Sequence, residues 1–138
     1  MTKHGNVNRR TFLKSSAAAG AAIALPQVVP STVFGANAPS NRIVMGAIGV
    51  GGKGTGNLRN FLGFENVQMI AVCDVEKAHR DRAKDYVDSK YKNKDCKTYN
   101  DFRKITRDSS IDAVSIATPD HWHVLPAIDA AKNKKDMY

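Results

Sequence analysis

The sequence has little cysteine and no apolar segment long enough to cross a membrane, and these two shortages restrict its function. Its two cysteines, Cys73 and Cys96, form no C-x-x-C pair and have no metal-ligand spacing. Cys73 lies in an apolar stretch and is expected to fill the core, whereas Cys96 is expected to be a loop thiol. The apolar segment at residues 15–25 has about eleven residues, whereas a spanning helix needs roughly 20. We therefore predict no stable membrane span.

Acidic residues are absent from the first 41 positions, so the charge of the chain is unevenly distributed. The whole chain carries a formal net charge of +8, but beyond residue 41 there are 17 basic and 13 acidic residues, a net charge of only +4. The bases between residues 90 and 97 alternate with Asp88 and Asp95, as on a solvated helix end and loop. We predict that the chain does not bind nucleic acid.

A glycine-rich run directly follows an apolar stretch, in a pattern typical of dinucleotide sites. Residues 49–54 read Gly-Val-Gly-Gly-Lys-Gly, and Asp74 closes a second apolar stretch twenty residues past Gly54. In this motif Gly49 permits the tight strand-to-helix turn, Gly51 lets the backbone approach a pyrophosphate, and Gly54 lets the helix pack close to the strand. The free N–H groups of that helix would face the phosphates.

Asp74 favours NAD over NADP as the cofactor. A carboxylate at this strand end accepts hydrogen bonds from the adenosine ribose hydroxyls, and its charge repels a 2′-phosphate. Two simpler interpretations stay open, namely that the glycine run is a plain loop and that Asp74 only caps the following helix. The phosphate loop G-x-x-x-x-G-K-[ST] is disfavoured, because it would place glycine at Ala47 and Ser or Thr after Lys53.

The basic amino terminus resembles an export signal. Residues 8–14, Asn-Arg-Arg-Thr-Phe-Leu-Lys, resemble the bacterial twin-arginine motif and precede the apolar segment. With a small-residue cleavage site at residues 36–38, we assign residues 1–38 to a signal peptide and 39–138 to a partial nucleotide-binding domain. The expected partner is the twin-arginine export machinery, and the expected location is periplasmic or secreted. A disordered basic tail is the alternative.

From Arg42 onward, short apolar runs alternate with helical periods, as in a parallel sheet with helices on both faces. The runs are almost continuously apolar, which is typical of strands covered on both sides. We predict strands at residues 43–48, 67–73 and 113–117, a weaker one at 97–99, and the start of another at 137–138. We predict helices at residues 55–62, 76–91, 101–107 and 124–132.

A second polar and aromatic segment follows the strand predicted at residues 113–117. It reads Thr118-Pro119-Asp120-His121-Trp122-His123, at the carboxyl end of a parallel strand, where such sheets bind ligands. Thr118 and Asp120 offer hydrogen bonds, and His123 is expected to start the next helix. The two histidines lack a third ligand nearby, so no metal site is predicted. Trp122 is expected to pack against a neighbouring helix or domain.

Together, the glycine run, Val72-Cys73-Asp74 and Ala117-Thr118-Pro119-Asp120-His121-Trp122-His123 resemble the amino-terminal half of a Gfo/Idh/MocA family oxidoreductase. The resemblance covers residues 42–138. It implies a doubly wound Rossmann-type parallel sheet (class α/β), followed in complete members by a substrate domain. Many members transfer a hydride between NAD or NADP and sugars, inositols or polyols, and members usually pair through the second domain, so we expect a homo-oligomer at full length.

The resemblance also implies roles for particular residues. The pyrophosphate would lie against Gly49, Gly51, Gly52, Lys53 and Gly54, and the adenosine ribose against Asp74. The inner ribose and nicotinamide side would lie against Thr118, Pro119, Asp120 and His123.

The Glu-Lys-Pro motif, whose lysine assists proton transfer in the family, does not occur in the chain. We therefore name no catalytic residue and expect an incomplete sheet, without its substrate domain, that is inactive alone. An unpaired edge strand and exposed apolar surface predict marginal stability and self-association.

The leading hypothesis is the cofactor-binding part of an exported NAD-dependent oxidoreductase that acts on a sugar or polyol. Exported NAD-dependent glycosidases of related fold are the first alternative, but they carry Asn-Arg where this chain has Gly52-Lys53 and Trp where it has Asp120. A non-catalytic nucleotide-binding fragment is the second alternative. A methyltransferase-type Rossmann fold, the third, is disfavoured by the Thr-Pro-Asp-x-x-His loop.

Overall fold

A five-stranded parallel sheet forms the centre of the computed structural model, which describes residues 41–138. The predicted signal peptide, residues 1–38, lies outside the described residues. The strands are β1 (Ile43–Ile48), β2 (Val67–Cys73), β3 (Lys97–Tyr99), β4 (Ala113–Ile116) and β5 (Asp136–Met137). Their order in the sheet is β3-β2-β1-β4-β5, and every neighbouring pair is parallel. The chain therefore reverses direction of winding between β1 and β4, which is the doubly wound Rossmann arrangement.

Two pairs of helices cover the two faces of this sheet. The helices are α1 (Gly52–Phe61), α2 (Lys77–Tyr91), α3 (Arg103–Thr106) and α4 (Asp120–Lys132). One apolar cluster joins the strands to Leu58 of α1 and Val87 of α2, and a second joins them to Ile105 of α3 and Ala130 of α4. Burial on both faces explains the almost continuously apolar strands. From residue 41 onward, none of the helices has the length and apolarity that a bilayer span requires.

The predicted strands agree closely with the structure, and the helix starts agree less well. Strands β1, β2 and β3 have the predicted bounds, β4 ends one residue early, and β5 begins at Asp136 and pairs with β4. Helix α1 begins at Gly52 and not at residue 55, because tertiary packing overrides the low helix propensity of glycine. Helix α3 is shorter than predicted, at Arg103–Thr106.

Helix α4 begins at Asp120, four residues before the predicted start at residue 124. Pro119 occupies the N-cap position with φ −54°, and an acidic residue in the first turn interacts favourably with the helix dipole. The sequence His-Trp-His has no apolar helical period, so periodicity alone places the start too late. As a result Asp120 lies on the first helical turn and not in a loop, and His123 lies on that turn, as expected of a residue at the start of the helix.

Several large apolar side chains on α4, on β5 and directly after β5 are exposed: Val124, Leu125, Ile128, Met137 and Tyr138. β5 lies at the edge of the sheet. This apolar surface agrees with the expectation from sequence. The self-association that we expect from it stays a prediction.

Both cysteines are buried, although Cys96 lies, as predicted, in the loop between α2 and β3. Cys73, at the end of β2, is 3% exposed, as expected for a core residue, and Cys96, just before β3, is 5% exposed. The backbone N–H of Cys96 donates to Oδ1 of Asp88 at 3.2 Å, which draws this segment onto α2. Burial, followed by the charge of Asp74, raises the pKa of the Cys73 thiol to about 12. Burial, followed by the charge of Asp88, raises the pKa of Cys96 to about 11.

We expect the folded chain to resist alkylation of both thiols. Thiolate is the reactive form, so thiols with pKa values this high should react with iodoacetamide at about pH 8 at least a hundredfold more slowly than in the urea-unfolded chain. Mass spectrometry of Cys73→Ala and Cys96→Ala, each with one remaining thiol, measures the two rates separately. Rapid labelling of either folded variant would show that its thiol is not buried as described.

Candidate nucleotide-binding site

A crevice of about 570 Å³ lies at the carboxyl ends of β1 to β4. This is where doubly wound sheets bind ligands, because the winding reverses between β1 and β4. Its lining comprises the strand ends, the loop after β3 and the start of α4: Ile48, Gly49, Cys73, Asp74, Val75, Asn100, Asp101, Phe102, Arg103, Thr118, Pro119, His121, Trp122 and Pro126.

Gly49 and Gly54 shape the turn between β1 and α1. Gly49 has φ +78°, and its N–H donates to the carbonyl of Cys73 at 2.8 Å. A Cβ on Gly49 would lie 2.7 Å from the backbone of Ala117, and a Cβ on Gly54 would lie 1.7 Å from the carbonyl oxygen of Gly49. A side chain at either position would therefore overlap backbone atoms, which explains why the strand and helix can approach so closely only with glycine.

The amino terminus of α1 has no side-chain cap and little side-chain cover. Gly51 occupies the N-cap position, and no side chain of residues 41–138 forms a cap hydrogen bond there. A Cβ on Gly52 would meet no atom within 4 Å, and Lys53 is exposed. The hydroxyl of Thr55 donates to the carbonyl of Val50 at 2.8 Å, which fixes the turn from within. Such a helix end attracts anions, through its N–H groups and its dipole.

The carboxylate of Asp74 holds the glycine-rich turn against the end of β2. Its Oδ2 accepts the N–H of Val50 at 2.9 Å, and its Oδ1 accepts the N–H of Glu76 at 3.0 Å. The second bond closes the turn before α2, but Asp74 is not the helix cap that the simpler interpretation proposed, because the N-cap residue is Glu76 and no side-chain cap bond is formed there among the described residues. A carboxylate offers about four acceptor positions, so these two bonds leave capacity for ribose hydroxyls.

The loop after β4 carries a buried, unpaired hydroxyl on Thr118, a residue of the crevice lining. Within residues 41–138, Oγ1 of Thr118 is buried without a hydrogen-bond partner, and Pro119 also lines the crevice. Asp120 and His123 are exposed on the first turn of α4 and do not contribute to the lining; Nδ1 of His123 lies 3.3 Å from the carbonyl oxygen of Thr118. Of the ten residues predicted to bind cofactor, the structure thus brings Gly49, Asp74, Thr118 and Pro119 to one crevice.

The loop after β3 and Trp122 complete the crevice and were not predicted as site residues. Oδ1 of Asp101 accepts both the backbone N–H of Arg103, at 3.0 Å, and its guanidinium Nε–H, at 2.9 Å, and these bonds hold the pKa of that carboxyl below its usual range. Trp122, expected to pack against a neighbouring helix or domain, is 51% exposed and lines the crevice. The position of residues 100–103 at the end of a parallel strand was the sequence feature that could have identified them.

Among residues 41–138, no three side chains of the metal-ligating types come together. The lining of the crevice combines polar and charged side chains with apolar and aromatic surface.

Comparison with known protein families finds two matches along the chain. Residues 43–138 match the GFO_IDH_MocA family, described as an oxidoreductase family with an NAD-binding Rossmann fold. Residues 6–26 match the twin-arginine translocation signal sequence, which directs the chain to the twin-arginine machinery for export to the periplasm or beyond.

Curated relatives include a glycosyl hydrolase family 109 protein of Shewanella baltica and an alpha-N-acetylgalactosaminidase of Shewanella oneidensis. Each is 32% identical over 96% of this chain and 33% of its own length. The chain therefore spans about a third of the length of these relatives.

Solved structures with the same fold include scyllo-inositol dehydrogenase from Lactobacillus casei with bound NAD(H) and scyllo-inositol. It is 24% identical with a TM-score of 0.60, and the match covers 70% of this chain and 27% of the other. A probable dehydrogenase from Thermotoga maritima is 26% identical with a TM-score of 0.59, over 68% and 26% of the two chains. Taken with the family match over residues 43–138, these findings show that the chain belongs to the Gfo/Idh/MocA oxidoreductase family, with its NAD-binding Rossmann fold.

Proposed function

We propose that the crevice binds NAD and that the chain is the cofactor-binding part of an exported oxidoreductase acting on a sugar or polyol. The observation that carries this proposal is the turn after β1, where Gly49 and Gly54 bring an uncapped helix terminus beside the carboxylate of Asp74. The first turn of α1 supplies N–H donors for a pyrophosphate, and Asp74 retains acceptor capacity for the adenosine ribose. The membership of an NAD-binding family supports the same assignment.

Of the remaining predicted residues, Thr118 and Pro119 line the crevice, where they would face the other end of the dinucleotide, whereas Asp120 and His123 lie outside the lining. The hydroxyl of Thr118 is buried without a partner among the described residues, and rotation of this side chain toward the crevice would let a ribose hydroxyl satisfy it. Bound NAD would supply a hydride acceptor, while the protein would orient it and exclude water. The charge of Asp74 opposes a 2′-phosphate, so we propose NAD and not NADP as the physiological cofactor.

The proposed substrate class and assembly rest on relatives. Scyllo-inositol dehydrogenase, which has the same fold, is described with a bound polyol, and the alpha-N-acetylgalactosaminidase of Shewanella oneidensis is named for a sugar substrate. We extend the sugar and polyol class to this chain, together with assembly into a homo-oligomer at full length.

A glycosidase is the second candidate, because the curated relatives include family 109 glycosyl hydrolases. The two functions differ in their use of the cofactor. An oxidoreductase accumulates NADH when given its sugar, whereas an NAD-dependent glycosidase releases an aglycone without net NADH. Assays of the chain together with any coding sequence that continues past Tyr138, using absorbance of NADH and release of nitrophenol from nitrophenyl glycosides, distinguish them. Aglycone release without NADH would overturn the oxidoreductase proposal.

Nucleotide binding itself is testable through Trp122, the only tryptophan of the chain and a residue of the crevice lining. We expect NAD to quench its fluorescence saturably. Adenosine triphosphate and S-adenosylmethionine should bind much more weakly. A preference for S-adenosylmethionine would contradict the proposal and favour a methyltransferase-type site.

Replacement of Gly52 by alanine should separate binding from folding. Among the described residues a Cβ at this position meets nothing within 4 Å, so the fold should tolerate it, and alanine raises helix propensity by about 1 kcal/mol. A pyrophosphate against the first turn of α1 would meet that methyl group, and we expect the affinity for NAD to fall about tenfold, a loss of about 1.4 kcal/mol. Gly56→Ala, which is equally open and lies one turn further along α1, is the matched control. Equal affinities of the two variants would place the nucleotide away from this helix terminus.

A further inference from the structure

The imidazole of His79 lies between the carboxylate of Asp74, which lines the crevice, and that of Glu76. Its Nδ1 is 3.5 Å from Oδ1 of Asp74, and its Nε2 is 3.4 Å from Oε2 of Glu76. The side chain of His79 is 30% exposed, and that of Asp74 is 11% exposed. Each ring nitrogen therefore faces an acceptor, and solvent can still exchange protons with the ring.

Protonation determines whether His79 can donate a hydrogen bond to one or to both of the two carboxylates. A neutral imidazole carries one N–H and can donate to only one of the two carboxylates. An imidazolium carries two and can donate to both. Protonation also changes the summed charge of Asp74, Glu76 and His79 from −2 to −1.

The elements beside the ring, the glycine-rich turn with α1 and helix α2, contribute a glycine and two cations. From the glycine-rich turn the ring meets Gly51, whose added Cβ would lie 3.3 Å from Cε1 of His79. On α2, Arg80 is the next residue, and its Nη1 donates to the carbonyls of Asp74, at 2.6 Å, and Val75, at 3.1 Å. Lys53 is exposed in the first turn of α1. Histidine is the side-chain type whose charge ordinarily changes between about pH 5 and 8, whereas arginine and lysine stay charged over that range.

We propose that His79 sets the discrimination between NAD and NADP at the ribose site and makes that discrimination depend on pH. This inference rests on the proposed function, in which Asp74 faces the adenosine ribose. NADP differs from NAD by a phosphate on the 2′ hydroxyl, next to the hydroxyls that Asp74 would accept. With neutral His79, two carboxylate charges oppose this phosphate. With protonated His79, one of them is offset, and the imidazolium is itself attracted to the phosphate.

The direction of the effect follows from these charges. As pH falls through the range in which histidine ordinarily titrates, near about 6.5, the affinity for NADP should rise relative to that for NAD. The 2′-phosphate itself gains a proton with a pKa of about 6, which also lowers repulsion. This second contribution belongs to the ligand and is present with or without His79, so a variant comparison isolates the contribution of the protein.

The test compares the full chain with His79→Gln and His79→Arg. Dissociation constants for NAD and NADP are measured by Trp122 fluorescence at about pH 8 and about pH 5.5, on either side of the ordinary histidine titration. We compare the ratio of the dissociation constant for NADP to that for NAD. As pH falls from about 8 to about 5.5 this ratio should decrease in both proteins, and the decrease should be about threefold to tenfold larger in the native chain than in His79→Gln. In His79→Arg, whose charge is permanent, the ratio should be low at both pH values. Circular dichroism at both pH values checks that the variants are folded.

The outcomes separate this inference from the proposed function. The same pH dependence in the native chain and in folded His79→Gln overturns the role of His79 and leaves NAD binding intact. Failure of the native chain to bind NAD at either pH overturns the proposed function and this inference with it.

Discussion

Replacement of Gly54 by alanine should destabilise the domain severely and abolish NAD binding. A Cβ at Gly54 would lie 1.7 Å from the carbonyl oxygen of Gly49 and 3.3 Å from the Cβ of Ala117. The first contact is with backbone at the end of β1, so no side-chain rotation can relieve it. Helix α1 would have to move away from the strand, which distorts the turn that places its N–H groups. We expect a loss of about 3 kcal/mol in the free energy of unfolding, at the upper end for overpacking.

Gly56→Ala is the matched control for this substitution. Gly56 lies in the same helix, two residues further on, and a Cβ there would meet nothing within 4 Å. Alanine should therefore increase stability by up to about 1 kcal/mol through helix propensity alone. Urea unfolding followed by circular dichroism measures both variants. Similar stabilities for Gly54→Ala and Gly56→Ala would show that the helix and strand do not approach as closely as the structure describes.

Replacement of Asp74 should reduce NAD affinity strongly and stability moderately. Asp74→Ala removes the acceptors of the Val50 and Glu76 N–H groups, and we expect unfolding to become easier by about 1 to 2 kcal/mol. If the carboxylate also accepts the ribose hydroxyls, the affinity for NAD should fall by more than about tenfold, because charge-assisted bonds contribute about 1.5 to 3 kcal/mol. Asp74→Asn, which removes the charge, should also lower the preference for NAD over NADP.

Asp108 provides a control that distinguishes the loss of a turn-stabilising hydrogen bond from the loss of a contact with NAD. Its Oδ1 accepts the N–H of Ser110, two residues on, as Asp74 accepts that of Glu76, and Asp108 is outside the lining of the crevice. Asp108→Ala should lower stability without changing NAD affinity at temperatures where it is folded. If the loss of NAD affinity in Asp74→Ala were no larger than its loss of stability explains, Asp74 would have a structural role only.

Periodicity and glycine spacing were sufficient to predict the sheet, because buried strands leave a strong local pattern. The bounds of β1 and β2 were predicted to the residue, since each is a short apolar run ended by a turn residue or an acid. Helix starts were harder to predict, because glycine and histidine carry little helical pattern. Both α1 and α4 begin earlier than predicted, where a strand end and Pro119 fix the backbone.

Contacts between distant segments could not be predicted from the sequence. Gly46 belongs to no recognisable sequence motif. A Cβ there would nevertheless lie 2.3 Å from Cγ2 of Ile105, so the absence of a side chain at Gly46 allows α3 to pack against the sheet. The pairing of His79 with Asp74 and Glu76 depends on the geometry of the approach to α2. The burial of Cys96 likewise depends on the contact of its segment with Asp88.

The most direct test of the central claim is to locate NAD on the protein by titrating it into the ¹⁵N-labelled chain and following backbone amide resonances. We predict saturable shifts of Gly51, Gly52 and Lys53 at the start of α1, together with Asp74 and Thr118. The amides at the carboxyl end of α2, near Lys90, should not move. Shifts confined to residues outside the crevice, or no shifts at millimolar NAD, would contradict the assignment of this crevice as the nucleotide site.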